Sequence, residues 1–162
     1  MESPSQNSRW IKLLEELQAA HTDLLAAIIE MEKVTRLPTA EMASFTRARW
    51  QISRASLVRR ALWGTIYNAL SGVLAERDRK NLGRLDIDDR TLLRASAAHI
   101  SQWTTAAAVE RWEEYCAASQ QIRWRMKAGI GAERRIVYPL LAMTADRQSS
   151  SRQPAVVGRA AR

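Results

Sequence analysis

The sequence predicts an all-α protein, an antiparallel up-down-up-down bundle of four long helices followed by a short basic tail. Two observations carry this expectation. Of 162 residues only 6 are Gly and 4 Pro, too few for the turns of an all-β chain, while the helix formers Ala, Leu, Arg and Glu dominate. Apolar residues, 46% of the chain, recur at three- and four-residue steps in four segments. A chain of this length buries a core without staples. Four striped helices on short links bury their faces most simply against one another.

The first stripe is the clearest. Trp10, Leu13, Leu14, Leu17, His21, Leu24, Leu25, Ile28 and Met31 share one face, and Lys12, Glu15, Glu16, Asp23, Glu30 and Lys33 fall off it. Leu37-Pro38 ends the segment, because the residue before proline is pushed out of the helical region. From about residue 8 to residue 36 this helix is roughly 40 Å long. Thr39 suits the N-cap of the second helix, with Glu41 opposing the macrodipole in its first turn. Its apolar positions include Phe45, Trp50, Ile52, Leu57, Val58, Leu62, Ile66, Tyr67 and Leu70. Arg47, Arg49, Arg54, Arg59 and Arg60 spread around it and read as a solvated basic surface.

Residues 72–84 are highly charged and carry Asn81 and Gly83, so they read as a partly ordered connection. Asp86-Ile87-Asp88-Asp89 then opens the third helix, with Asp86 as cap and acids at the positive end. Leu92, Leu93, Ser96, His99, Ile100 and Trp103 form its inner stripe. No Gly or Pro occurs from Asp86 to Ala128, and an unbroken helix through Leu141 would exceed roughly 80 Å. A break is therefore expected near 104–108, where two threonines interrupt the pattern. The fourth helix aligns Val109, Trp112, Cys116, Ser119, Ile122, Met126, Gly129, Glu133, Val137 and Leu140. Pro139 comes late enough to bend only its final turns. The expected organisation is a bundle over 1–146 and a disordered basic tail over 147–162.

The net charge of +8 is less telling than it looks. Arg147, Arg152, Arg159 and Arg162 lie in the tail, which has no acidic residue, so the rest holds 21 basic and 17 acidic groups, a net +4. That balance is ordinary for a solvated bundle and disfavours nucleic acid as a partner. The lone Cys116 excludes an internal disulfide and suits a reducing compartment. No apolar run reaches the about 20 residues of a membrane span. The first residues carry neither a basic start nor an apolar core, so a cytoplasmic protein is expected.

His21 and His99, the only histidines, both fall within inner stripes, and Glu133 falls on the inner face of the last helix. A buried carboxylate must be paired, hydrogen-bonded or metal-bound. Two imidazoles and a carboxylate converging inside a bundle would suffice for one metal with open positions.

The run Gly129-Ile130-Gly131-Ala132-Glu133-Arg134-Arg135-Ile136-Val137-Tyr138-Pro139-Leu140-Leu141 resembles the last helix of the hemerythrin-like, cation-binding HHE family. There a His, a Glu four residues later and an apolar-aromatic-proline ending form the signature. His21 and His99 resemble that family's lone ligands on the first and third helices. Ile66-Tyr67-Asn68-Ala69-Leu70 sits in the second helix as Val137-Tyr138-Pro139-Leu140-Leu141 sits in the fourth, so the chain reads as two related helix pairs. The resemblance covers about residues 8–144 and implies a di-iron site. Three of its six ligands are replaced, by Val58, Leu62 and Gly129, so an intact di-iron centre is not expected.

Three readings of His21, His99 and Glu133 stay open. The first is a structural remnant, a histidine hydrogen-bonded to a buried carboxylate. The second is a single iron or zinc ion serving an oxygen or redox sensor. The third is a haem held by the two histidines. No nucleophile–base pair, phosphate loop or acid pair is visible, so no catalytic residue is expected, and the leading expectation has no cofactor, a single iron or zinc ion being the alternative. The leading expectation is a non-enzymatic bundle with a degraded metal site, regulating or binding a protein partner. Trp10, Trp63, Trp103 and Trp112 fit core positions, whereas Trp124 lies off the stripe between Arg123 and Arg125.

Overall fold

A computed structural model describes residues 6–150 and is helical nearly throughout. Four long helices, α1 (Gln6–Val34), α2 (Met42–Ser71), α3 (Glu76–Gln102) and α5 (Trp112–Ser150), are joined by short links, with a six-residue helix α4 (Thr105–Glu110) before the last. No strand occurs among the described residues, and no helix among them is long and apolar enough to cross a membrane. α1 packs on α2 and α5, and α3 packs mainly on α5.

The core runs the length of the molecule in three clusters. At one end Trp10, Leu13 and Leu17 meet Trp63, Ile66, Leu82, Val137 and Leu141. Leu24, Ile28, Met126 and Ile130 fill the middle. At the other end Met31, Val34, Phe45, Ala48, Trp103, Trp112 and Tyr115 close an aromatic cluster. Phe45 meets both Trp112 and Tyr115 edge-on, with ring centroids 5.2 and 5.0 Å apart. Full burial of each large apolar side chain contributes about 1.5–3 kcal/mol, so these clusters hold the helices together. The four tryptophans expected in the core are buried there, and Trp124 is exposed.

Several boundaries differ from expectation, each for a local reason. α2 starts at Met42 rather than after Thr39; Glu41 is its N-cap residue, and its carboxylate accepts a hydrogen bond from the Ser44 hydroxyl. The charged stretch before Asp86 is helix, not a loose connection. Only 72–75 stay outside, because Glu76 and Asp78 suit the positive end of α3 and Leu82 and Leu85 are buried one turn apart. Asp86 is thus no cap; it accepts the indole hydrogen of Trp63 at 3.3 Å and pairs with Arg90 at 2.8 Å.

The chain breaks at Trp103 and Thr104, most of the expected break over 104–108 is the helix α4, and a second interruption at Arg111 precedes α5. The Thr104 hydroxyl caps α4 by accepting from the Ala107 amide at 3.2 Å. Trp112 then donates its indole hydrogen to the Leu37 carbonyl at 2.9 Å, tying α5 to the α1–α2 link. α5 continues to Ser150, four residues beyond the expected end of the bundle. Residues 151–162, which hold most of the expected tail, lie outside the described residues.

The inner face of α2 is also rotated from its expected position. Val58 is 54% exposed, with Leu57 and Trp50 beside it in solvent, whereas Arg59 is only 6% exposed. The buried line is Phe45, Ala48, Arg59, Trp63, Ile66 and Leu70. Arg59 therefore belongs to the interior rather than to the basic surface. Ile100 of α3 is likewise exposed, and its neighbour Ser96 is buried instead.

Candidate functional site

Arg59 lies at the centre of a polar network that draws on all four long helices. On α1, His21 follows Leu17 by four residues and precedes Leu24 by three, so the buried stripe carries it inward; it is 0% exposed. On α5, Glu133 lies three residues after Ile130 and four before Val137, which buries it to 3% exposure. Arg59 reaches in from α2, one turn before Trp63. Asp89 comes from α3, one turn after Leu85.

His21 Nε2 lies 2.6 Å from Glu133 Oε2, and His21 Nδ1 lies 2.7 Å from the Tyr138 hydroxyl. A carboxylate only accepts, so Nε2 carries the proton and Tyr138 donates to Nδ1. The neutral ring satisfies both contacts at once. Burial, followed by the charges of Arg59 and Arg134, pushes the His21 pKa down from 6.5 to about 4. Arg59 grips the Glu133 carboxylate in a fork, with Nη2 donating to Oε1 and Nε to Oε2. Its other edge donates from Nη1 to Asp89 Oδ1 at 2.7 Å. One guanidinium thus bridges two carboxylates, and every charged group in the network has a charged or hydrogen-bonding partner.

An open cleft of about 270 Å³ between α3 and α5 reaches Arg59, Asp89 and Glu133 beside Gly129, but His21 is not in its wall. Gly129 lies one turn before Glu133 on the wall of this cleft. A Cβ added there meets nothing within 4 Å. Replacing a mid-helix glycine by alanine gains about 0.5–1 kcal/mol. Gly129→Ala should therefore raise stability by that amount in urea titrations, and a loss would mean that the added methyl group meets a neighbour in the folded protein.

Of the three residues expected to converge, His21 and Glu133 do so and His99 does not. His99 is half-buried against Tyr115, with ring centroids 5.7 Å apart. Tyr115 and Glu133 are eighteen residues apart along α5, or about 27 Å at the helical rise. The third-helix residue at the level of Glu133 is Asp89. Among the described residues no group of three or more His, Cys, Asp or Glu side chains is arranged to hold a metal ion.

The side chains do not fit a di-iron centre. Val58 is turned to solvent, Leu62 and Gly129 offer no donor, and the Arg59 guanidinium already occupies both carboxylates. Axial ligation of a haem by the two histidines is ruled out by the same separation. Cys116 is half-buried and its thiol pKa is raised, chiefly by burial, which disfavours the thiolate.

Arg59, Asp89 and Tyr138 were not anticipated as partners. For Arg59 a signal existed: it falls on the seven-residue line Phe45, Ile52, Arg59, Ile66, which an apolar Val58 next door obscured. Asp89 lay hidden among acids that read as a helix start.

The fold and site together define an all-helical protein with a buried, cation-bridged polar network at one level of its interior. No family model, no curated protein and no solved structure matches the chain.

Proposed function

We propose that the chain is a non-enzymatic up-down-up-down four-helix bundle of hemerythrin-like type, in which Arg59 has replaced the metal cation and the surface binds a protein partner. The observation that carries the reading is the Arg59 guanidinium bridging Glu133 and Asp89. It supplies the positive charge that a ligand set of this kind would otherwise take from a metal. The bundle topology is supported by the end-to-end order of the core. The start of α1 packs with the ends of α2 and α5, and the end of α1 packs with their starts. The likeness to the HHE scaffold is supported by His21 on the first long helix meeting Glu133 on the last.

The absence of an enzymatic role is supported by burial. His21 has a tyrosine and a carboxylate on its two nitrogens but no access for a substrate. A role in partner binding is supported by the exposed apolar residues Ile29, Trp50 and Val58 lining the α1–α2 groove.

The purified protein is expected to take up no stoichiometric iron or zinc, and its melting should be indifferent to chelator. One metal per chain that disappears in His21→Ala would overturn the reading in favour of a metal sensor. For the partner, a tagged chain expressed in its native cell should lose its complex on Trp50→Ser with Val58→Ser and keep it on Gly129→Ala. A complex indifferent to both surface changes would rule out this face.

A further inference from the structure

A second group of polar side chains lies at the opposite end of the interior, and its charges are not balanced. A cavity of about 60 Å³ between α2, α3 and α5 is lined by Arg49, Ser96, His99, Tyr115, Ser119 and Arg123, with Met31, Ile52 and Ile122 among its apolar walls. Among the described residues, no Asp or Glu lines it. Arg123 is 5% exposed, yet its partners are neutral hydroxyls: Nη1 donates to Ser119 Oγ at 2.5 Å and Nη2 to Thr35 Oγ1 at 3.1 Å. Its Nε has no partner among the described residues. Arg49 lies over the rings of Phe45 and Tyr115, and its buried Nη1 is also unpartnered. So is the hydroxyl of buried Ser96.

The contrast with Arg59 is informative. Both buried guanidiniums sit in the same fold, but one holds two carboxylates and the other holds none. Arginine does not escape burial by losing its proton, and an unpaired buried cation costs several kcal/mol. Glu32 is near enough for its charge to act on Arg123, but Lys127 already holds its carboxylate. Burial and the charges of Arg49 and Arg123 push the His99 pKa below its usual value, as a locally positive field requires.

The geometry points to a binding site for a small oxyanion, a phosphate group seated between Arg49 and Arg123 with the Ser96 and Ser119 hydroxyls beside it. A cavity of this volume admits one tetrahedral anion or about two waters. Guanidinium forks and hydroxyls are the donors that phosphate oxygens accept from. His99 and Ile122 also line a wider open groove between α3 and α5, which runs past Gln102, Gln121 and Trp124. The organic part of a phosphate monoester would lie there. Ser96 also lines a small pocket with Arg59 and Asp89, so the two polar groups adjoin along α3, but the proposal does not depend on the function proposed above.

The test uses the full chain at constant ionic strength, titrated with inorganic phosphate and followed by thermal melting and by phosphorus NMR linewidth. A saturable rise in melting temperature is expected, with half-saturation at or below the millimolar range, and sodium chloride should not reproduce it. Arg123→Gln should weaken phosphate by roughly ten- to a hundredfold, the loss of one charged hydrogen bond. Ser96→Asp supplies the missing carboxylate in place. It should raise the melting temperature of the free protein and abolish the phosphate response, which keeps the test decisive if Arg123→Gln fails to fold.

Phenyl phosphate binding more tightly than inorganic phosphate identifies a monoester as the ligand class; equal binding identifies the free anion. The proposal is overturned by a response that chloride matches, by no response in the millimolar range, or by phosphate binding undiminished in both variants.

Discussion

Glu133→Ala is expected to destabilise the protein by about 3–5 kcal/mol, because it leaves the buried Arg59 guanidinium with one carboxylate fewer and His21 Nε2 without an acceptor. For a domain of this size that corresponds to a fall in melting temperature on the order of 10 °C. Glu133→Gln keeps an acceptor for His21 but removes the charge under Arg59, so it should fall between wild type and alanine. Combining Glu133→Gln with Arg59→Met should recover part of the loss, since the uncompensated cation is then gone. A cost below about 1 kcal/mol for Glu133→Ala would place it among ordinary surface substitutions, and the network would then have no part in holding the helices.

The second large effect is on acid stability. His21 has a pKa near 6.5 when unfolded and about 4 when folded. Between those values the unfolded chain binds a proton that the folded chain does not, so stability falls as pH is lowered through this window. The stabilisation is fully present above about pH 6.5, and by pH 4 this one group should have removed roughly 3 kcal/mol. The clean measurement is the difference between wild type and His21→Gln, whose amide can still donate to Glu133. Urea titrations from pH 7 to pH 4 should show wild type losing that much more than the variant. Parallel curves would mean that the ring is charged in the folded state, with Tyr138 turned to accept from it.

How far the molecule could be read in advance depended on whether one residue's own pattern was enough. The stripe from Trp10 to Met31 was legible because its apolar residues keep one phase for six turns, and α1 follows it. The burial of His21 and Glu133 was legible for the same reason, and so was the need of Glu133 for a partner. The identity of that partner was not legible. Arg59 looks the same in sequence as Arg54 or Arg60, and only the phase of α2 separates them. That phase is set by Phe45, Trp63 and Ile66 rather than by the nearer Val58 and Leu57, which remain in solvent.

α3 was foreshortened because its first turns are dominated by charge, although Leu82 and Leu85 already carry its buried face. His99 was expected beside His21 because both interrupt an apolar stripe. Position along a helix axis, unlike position around it, leaves no periodic trace in a sequence.

The network also bears on the order in which the chain can become native. His21 and Tyr138 are 117 residues apart in sequence, and Arg59 and Glu133 are 74 apart. Contacts of such long span close late, after the loops between them have been gathered. During synthesis α1 and α2 emerge well before Glu133 exists, so their first apolar pairing must hold Arg59 with no carboxylate from α5. That helical hairpin is therefore electrostatically incomplete until the last long helix arrives. Glu133 thus completes the charge pairing of the interior only once α5 has joined the other helices.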